Sequence, residues 1–226
     1  MIRAALFDID GTLVDSNDLH VQAWQRAFRH YGKEISAEAI HHQVGKGGDQ
    51  LLPVFLSPDE VKRFGEALRD HRAEIFARDY LPHVQPFPGV RPLFERLRAE
   101  GIAIALASSS PEHEVDAHTA RLGVADLLAA ATSADDAEHS KPCPDIFAAA
   151  AARIAVAPSA ALVVGDTPYD GLAARRAGMR MIGVLSGGFP ETELRDAGAI
   201  EIYRDVADLV ARYDATVFAR ERPRRR

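Results

Sequence analysis

The 226-residue chain contains a single cysteine, Cys143, so no disulfide can form within it. Absence of disulfides is compatible with a reducing compartment. No run in the sequence approaches the roughly 20 consecutive apolar residues that a membrane-spanning helix requires. The first residues also lack the length and cleavage pattern of a signal peptide. Together these absences predict a cytoplasmic protein without a membrane partner.

The chain has little excess charge of either sign. It carries 33 acidic residues against 27 Lys and Arg, for a formal net charge of −6. A mildly acidic protein is poorly suited to a phosphate backbone, so nucleic acid is not expected as a partner. The one basic run is the C-terminal segment 220–226, which we interpret as a frayed, solvated terminus. A small-molecule ligand is therefore the expected partner, and the oligomeric state stays open.

Short apolar runs alternate with helical patterns over most of the chain. The runs predict buried strands at Ala4–Ile9, Ile102–Ala107, Ala161–Val164, Met181–Leu185 and Ile200–Tyr203. Helical patterns occupy Pro92–Glu100, Glu112–Leu122, Pro144–Ile154 and Pro168–Ala177. Such alternation predicts an α/β protein with a doubly wound parallel sheet, whose ligand lies beyond the carboxyl ends of the strands.

One region, residues 17–83, breaks this alternation because it contains helical patterns and no strand. Its longest pattern runs from Asp59 to Tyr80, with apolar side chains recurring on one face. The stiff segment Gln85–Gly89 then halts the helix and returns the chain to the core. We predict a catalytic core of residues 1–16 and 84–226, with residues 17–83 inserted as a helical domain that covers the end of the first strand.

The most informative stretch is Phe7-Asp8-Ile9-Asp10-Gly11-Thr12-Leu13, at the end of the first predicted strand. Residues two apart on a strand point the same way, so Asp8 and Asp10 should be neighbours. Two close carboxylates need a cation or a proton between them, and oxygen ligands of this kind suit Mg²⁺. Gly11 permits a sharp turn that brings backbone N–H groups to an anion. Alone, the same residues would also fit two aspartates capping turns.

Three further segments bring polar groups to the same sheet edge. Ser108 follows the second strand, where a serine suits a phosphoryl oxygen but also an ordinary helix N-cap. Lys141 precedes Pro142, and it offers either a fixed ammonium for a phosphoryl group or a solvated surface lysine. Asp166 and Asp170 follow the third strand, where they could complete an acidic cup or cap a helix. The convergence of four strand ends favours a site.

In this order the motifs resemble those of the haloacid dehalogenase superfamily: Asp8-x-Asp10-Gly11-Thr12, Ser108 after an apolar strand, Lys141-Pro142, and Gly165-Asp166-x-x-x-Asp170. The similarity extends over residues 1–213, and the helical insert resembles the α-helical cap of the subgroup that includes phosphoglycolate phosphatase and β-phosphoglucomutase. The resemblance implies a Rossmann-like core with a movable cap and phosphatase activity on a small phosphorylated metabolite.

The resemblance also implies a role for each matching residue. Asp8 would attack phosphorus and form an aspartyl-phosphate, and Asp10 would exchange protons with the leaving group and with water. Ser108 and Lys141 would hold the phosphoryl group, assisted by the phosphate-binding residues Gly11, Thr12 and Ser109. Mg²⁺ would be bound by Asp8, the backbone carbonyl of Asp10, and Asp166, with support from Asp170. The metal-independent dehalogenases lack an aspartate at the position of Asp10, so dehalogenation is disfavoured.

The substrate is expected to depend on the insert. Its glycine-rich segment Gly45–Gln50 resembles a cap loop that reaches into the active site, although a plain helix linker would look the same, and Lys46 and Asp49 are its predicted substrate-facing side chains. The stretch Asp15–Trp24, with His20 as a predicted substrate contact, also resembles β-phosphoglucomutase, which makes a sugar-phosphate mutase the alternative function. Pro111 disfavours it, because those mutases carry a basic residue there.

A non-enzymatic alternative is a receiver domain that only accumulates phosphoaspartate. Such domains share clustered aspartates, a lysine and a doubly wound sheet. Their usual length, on the order of 120 residues, leaves no place for an insert of residues 17–83. Repeated release of phosphate would distinguish an enzyme from a receiver domain.

Overall fold

The computed structural model describes residues 1–223. The C-terminal basic run is not frayed as far as residue 222, contrary to the sequence interpretation. The backbone N–H of Ile2 donates to the carbonyl of Glu221 at 2.8 Å, and Arg222 Nη1 donates to Glu100 Oε1 at 2.9 Å. Glu221 also accepts two hydrogen bonds from Arg180. Residues 224–226 of the run lie outside the described residues.

A six-stranded parallel sheet forms the centre of the molecule, in the order β5-β4-β1-β6-β7-β8. Its strands are β1 (Ala4–Phe7), β4 (Ala103–Ala107), β5 (Ala130–Thr132), β6 (Ala161–Gly165), β7 (Arg180–Val184) and β8 (Ala199–Tyr203). A separate antiparallel pair consists of β2 (Val14–Asp15) and β3 (Gln85–Pro86). The five predicted strands are present with slightly shifted ends. Strand β5 is an addition, since its three residues Ala-Ala-Thr form no apolar run.

Helices cover both faces of the sheet, which confirms the predicted Rossmann-like α/β class. In chain order they are α1 (Asn17–His30), α2 (Ala37–His41), α3 (Gly48–Phe55), α4 (Pro58–Ile75), α5 (Val90–Ala99), α6 (Glu112–Leu122), α7 (Asp145–Arg153), α8 (Pro168–Arg176), α9 (Glu191–Asp196), α10 (Val206–Ala211) and α11 (Val217–Arg220). The predicted helix from Asp59 to Tyr80 instead changes to a π-helical turn over Phe76–Tyr80. Among residues 1–223, no helix combines the length and apolarity that crossing a membrane requires.

Strand β1 is buried on both faces, which explains its uninterrupted apolar sequence. Ala5 and Phe7 belong to one hydrophobic cluster, and Ala4 and Leu6 belong to another on the opposite face. The first cluster continues into the helical insert through residues such as Trp24. One apolar core therefore joins the insert, residues 17–83, to one face of the sheet.

The antiparallel pair β2–β3 brings together the two ends of the helical insert. Val14 is paired with Pro86, and Asp15 is paired with Gln85. The chain therefore leaves the core and returns to it at the same place, directly after the end of β1. Whether the insert is a separate domain bounded at residues 17 and 83 stays a prediction.

Candidate functional site

The polar strand ends predicted from the sequence come from neighbouring strands. Phe7 of β1 is paired with Leu106 of β4 on one side and with Val164 of β6 on the other. All three strands run parallel, so their carboxyl ends share one sheet edge. Asp8, Ser108 and Asp166 follow these strands and are buried there, with exposures of 5%, 1% and 0%.

Three carboxylates converge at this edge. Oxygen atoms of Asp8, Asp166 and Asp170 lie within 4.8 Å of one another, and we call these three residues the acidic cluster. Lys141, which is 1% exposed, donates to Asp8 Oδ1 and forms an ion pair with Asp170 Oδ1 at 2.8 Å. Asp170 is fixed by a capping box at the start of α8, in which its Oδ2 accepts from the Thr167 N–H at 3.0 Å. Three carboxylates thus face a single ammonium group.

This charge imbalance perturbs the titration of the acidic cluster. Burial raises the pKa of Asp8 to about 7, although Lys141 partly offsets the effect. Burial and the charges of Asp8 and Asp170 raise the pKa of Asp166 well above its ordinary value. Burial acts to lower the pKa of Lys141, but the neighbouring Asp170 and Asp8 outweigh it and raise that pKa. A buried set of oxygen donors with excess negative charge fits a hard divalent cation such as Mg²⁺.

Gly11, Thr12 and Asn17 shape the acidic cluster from the segment after β1. Gly11 has a φ of +74°, and a Cβ there would lie 2.3 Å from Asp166 Oδ2, so the position requires glycine. Thr12 Oγ1 donates to Asp166 Oδ1 at 2.8 Å, and Asn17 Nδ2 donates to Asp166 Oδ2 at 3.0 Å. The side chain of Thr12 therefore contacts a candidate metal ligand. Asn17 was not among the residues predicted from the sequence.

The side chain of Asp10 forms its hydrogen bonds with residues outside the acidic cluster. It accepts hydrogen bonds from Ser16 Oγ at 2.6 Å, from His20 Nε2 at 2.8 Å and from Ser110 Oγ at 3.0 Å. Burial acts to raise the pKa of Asp10, but His20, His118 and Ser16 outweigh it and hold that pKa well below its ordinary range. Asp10 is therefore a hydrogen-bond acceptor in this state.

Arg72 fixes the orientation of His20 from helix α4. Its guanidinium contacts His20 Nδ1, and since arginine can only donate, Nδ1 must accept. The proton of the His20 ring is thus on Nε2, which donates it to Asp10. Arg72 Nη1 also donates to Glu114 Oε1 of α6 at 3.1 Å, and Glu114 is fully buried. Sequence reasoning missed Arg72 and Glu114, because each is a common charge on an amphipathic helix.

A cavity of about 400 Å³, here called the strand-end cavity, lies between the sheet edge and the helical insert. Its core side is lined by Asp8, Asp10 and the Ser108–Ser110 turn, and its insert side by His20, Lys46 and Asp49. The Ser109 hydroxyl is buried and lacks a hydrogen-bond partner among residues 1–223. Most residues predicted as phosphate or substrate contacts therefore line one space.

The glycine-rich loop of the insert is packed against the core. A Cβ on Gly47 would lie 2.0 Å from Ser140 Oγ, so only glycine allows this approach. Asp49 Oδ2 accepts from the backbone N–H of Ser140 at 3.1 Å. Lys46 Nζ donates to Gln43 Oε1 at 2.6 Å and lies 4.5 Å from the centre of the Tyr169 ring. The loop is thus a contact between insert and core, and both of its predicted substrate-facing residues line the strand-end cavity.

The fold and this site define a Rossmann-like α/β enzyme with an acidic site at the sheet edge and a helical insert above it. Residues 5–184 match the family described as haloacid dehalogenase-like hydrolase, and the chain belongs to that family. The predicted membership and the predicted enzyme class are therefore confirmed.

Curated relatives and a solved structure share most of this chain. The Validoxylamine A 7'-phosphate phosphatase of Streptomyces hygroscopicus subsp. limoneus is 30% identical over 82% of this chain and 87% of its own length. The Arabidopsis thaliana protein Suppressor of quenching 1, chloroplastic, is 34% identical over 92% of this chain, which spans only 20% of that protein. The crystal structure of a hydrolase from Pseudomonas syringae aligns with a TM-score of 0.88 at 31% identity, covering 95% of this chain and 99% of that one.

Proposed function

We propose that this protein is a Mg²⁺-dependent phosphatase that hydrolyses a small phosphomonoester through an aspartyl-phosphate on Asp8. The observation that carries the proposal is the buried acidic cluster beside Lys141, whose member Asp8 lines a cavity large enough for a small metabolite. The relative from Streptomyces hygroscopicus, which is named a phosphatase, supports the same reaction class.

The nucleophile of the reaction is the carboxylate of Asp8. A carboxylate attacks a phosphate only when the negative charges of both are offset, and Lys141 is in direct contact with Asp8. In the first step an Asp8 oxygen forms a bond to phosphorus while the bond from phosphorus to the leaving oxygen breaks. In the second step water attacks phosphorus, and the bond to Asp8 breaks to release phosphate.

Asp10 handles the protons of both steps. It would protonate the leaving oxygen in the first step and accept a proton from water in the second. The three donors around Asp10 favour its ionised form. Without substrate, Asp10 is therefore in the protonation state of a base. An incoming phosphate dianion would raise its pKa by repulsion and so favour uptake of the proton it needs as an acid.

Asp8, Asp166 and Asp170, with the backbone carbonyl of Asp10, would hold Mg²⁺. When bound, the ion supplies positive charge that stabilises the phosphoryl oxygens. Ser108 and Ser109 would donate hydrogen bonds to those oxygens, and the buried Ser109 hydroxyl has no hydrogen-bond partner among residues 1–223. The insert would exclude bulk water over the site, since its loop and its helices line the opposite side of the cavity.

A phosphate-release assay with Asp8→Asn tests the proposal. Phosphate release from p-nitrophenyl phosphate and from each of a panel of sugar phosphates is measured with Mg²⁺ and with a chelator. We expect Asp8→Asn to lower kcat by about three orders of magnitude or more, because the amide is a poor nucleophile. Asp196→Asn serves as the matched control, since Asp196 is exposed on α9 outside the cavity. Undiminished release by folded Asp8→Asn would contradict the mechanism.

A further inference from the structure

The insert side of the strand-end cavity has an unusual balance of charge. Its three cationic side chains are Lys46, Arg69 and Arg72. Two of them are already engaged: Arg72 with Glu114 and His20, and Lys46 with Gln43 and the Tyr169 ring. The third, Arg69, is exposed and lies across Gly48, where a Cβ would be 2.6 Å from Arg69 Cδ.

Carboxylates outnumber these cations around the cavity. Apart from Asp8 and Asp10, the cavity is lined by Asp49, Asp70, Asp135 and Glu138. The last three are exposed at its rim, while Asp49 is half-buried. A second anionic group on a substrate would therefore meet repulsion and few free cations. A phosphoryl group at Asp8 is exempt, because Lys141 serves that end.

The carboxylate of Asp49 is held in place by two hydrogen bonds. Its Oδ2 accepts from the Ser140 N–H at 3.1 Å and from Gln50 Nε2 at 2.9 Å. Ser140 immediately precedes Lys141, the residue that contacts Asp8. The Asp49 carboxylate is therefore hydrogen-bonded to the segment that carries Lys141. Burial acts to raise the pKa of Asp49, but the Ser140 and Gln50 hydrogen bonds outweigh it and lower that pKa. The charge of Asp49 is thus retained at neutral pH.

We propose that Asp49 determines substrate specificity by selecting phosphomonoesters of polyhydroxylated alcohols or amino alcohols that carry no second anionic group. This inference rests on the proposed phosphatase function and names its substrate class. A carboxylate accepts hydrogen bonds from hydroxyl or ammonium groups, and it repels a carboxylate or second phosphate. Selection thus combines an attractive contact with a repulsive one.

Three six-carbon esters that differ in the charge of their alcohol portion test the proposal: glucosamine 6-phosphate, glucose 6-phosphate and 6-phosphogluconate. Their alcohol portions carry an ammonium group, no charge and a carboxylate, respectively. We expect kcat/KM for glucose 6-phosphate to exceed that for 6-phosphogluconate by about tenfold, and glucosamine 6-phosphate to be at least as good as glucose 6-phosphate. In Asp49→Asn, which keeps the shape and removes the charge, the tenfold ratio should fall below about threefold.

The control variant is Asp196→Asn, which removes the same charge outside the cavity and should leave the ratio unchanged. An unchanged ratio in Asp49→Asn, or a wild-type preference for 6-phosphogluconate, would overturn the proposal. The proposal would also be overturned if phosphate were released from p-nitrophenyl phosphate but from none of the three esters. In that case the phosphatase function would still stand. Loss of the phosphatase function itself would appear differently, as equal release by wild type and Asp8→Asn.

Discussion

Arg72 contacts two buried groups, His20 within the helical insert and Glu114 of the core, and the contact with Glu114 joins the insert to the core. It is 8% exposed and pairs with Glu114, which is fully buried on α6. Its other contact is His20, whose ring is stacked on Phe76 with centroids 4.0 Å apart. A buried ion pair adds little net stability, yet removal of one partner leaves an uncompensated buried charge. Arg72 therefore contributes to the stability of the insert–core contact and to the orientation of His20.

At this residue scale we predict that Arg72→Met lowers the free energy of unfolding by about 3–5 kcal/mol, because it leaves the Glu114 carboxylate buried without its partner. The double variant Arg72→Met/Glu114→Gln should lose less, since the uncompensated charge is gone. Urea denaturation of both variants and of Glu114→Gln alone gives the comparison. A double variant as unstable as Arg72→Met would show that the buried charge is not the cause.

Helix α4 contributes Arg69, Asp70, Arg72 and Ala73 to the lining of the strand-end cavity, so the residues that stabilise its first turn also support this wall. Ser57 caps it through a capping box: Ser57 Oγ accepts from the Glu60 N–H at 3.4 Å, and Glu60 Oε2 accepts from the Ser57 N–H at 3.0 Å. Pro58 occupies the first turn, where its missing N–H costs nothing. The apolar face of the helix, including Leu68, then packs into the core.

At the element scale we predict that Ser57→Ala lowers the free energy of unfolding by about 1 kcal/mol, because the first turn of α4 loses a side-chain acceptor. The measurement is urea denaturation. Ser57→Asn retains an acceptor and should restore most of the loss. Phosphate release should match wild type, because Ser57 lies outside the cavity lining. A loss in Ser57→Asn equal to that in Ser57→Ala would exclude the cap as the cause.

At the scale of the whole molecule, the acidic cluster links stability to pH and metal. The pKa of Asp8 is about 7 in the folded protein, against 3.8 for an ordinary aspartate, so between these values the folded state binds more protons than the unfolded state. The stability of the metal-free protein should therefore fall as pH rises from about 4 to 7. Mg²⁺ binds the ionised carboxylates, so its stabilising effect should grow over the same range.

We accordingly predict that, at pH 7.5, Mg²⁺ at about 100 times its Kd stabilises the folded protein by about 2.7 kcal/mol. Thermal melts across pH 4–8, with Mg²⁺ and with a chelator, measure this. Asp166→Asn should lose most of the Mg²⁺ effect, whereas Asp196→Asn should keep it. A metal-free melting temperature that rises between pH 4 and 7, or one that Mg²⁺ does not change at pH 7.5, would contradict the prediction.

Much of the fold could be predicted because it depends on local patterns. The buried strands are short apolar runs, and the helical insert begins where the alternation of strands and helices stops. Strand β5 could not be predicted, because Ala130–Thr132 gains its strand conformation from pairing with β4 and not from its own composition. The π-helical turn at Phe76–Tyr80 could not be predicted from the sequence either, since its residues continue the helical pattern of α4.

The sequence by itself determined the residue types of the acidic cluster and the order in which they occur, because strand-end aspartates and glycines are encoded locally. Only the tertiary structure decided which of them meet: β1 lies between β4 and β6, so Asp8 and Asp166 become neighbours although they are far apart in the chain. Tertiary structure likewise decided the contacts of Arg72 with Glu114 and His20, and the hydrogen bond between Asp49 and Ser140. These contacts join segments whose separation in the sequence carries no signal of their proximity in space.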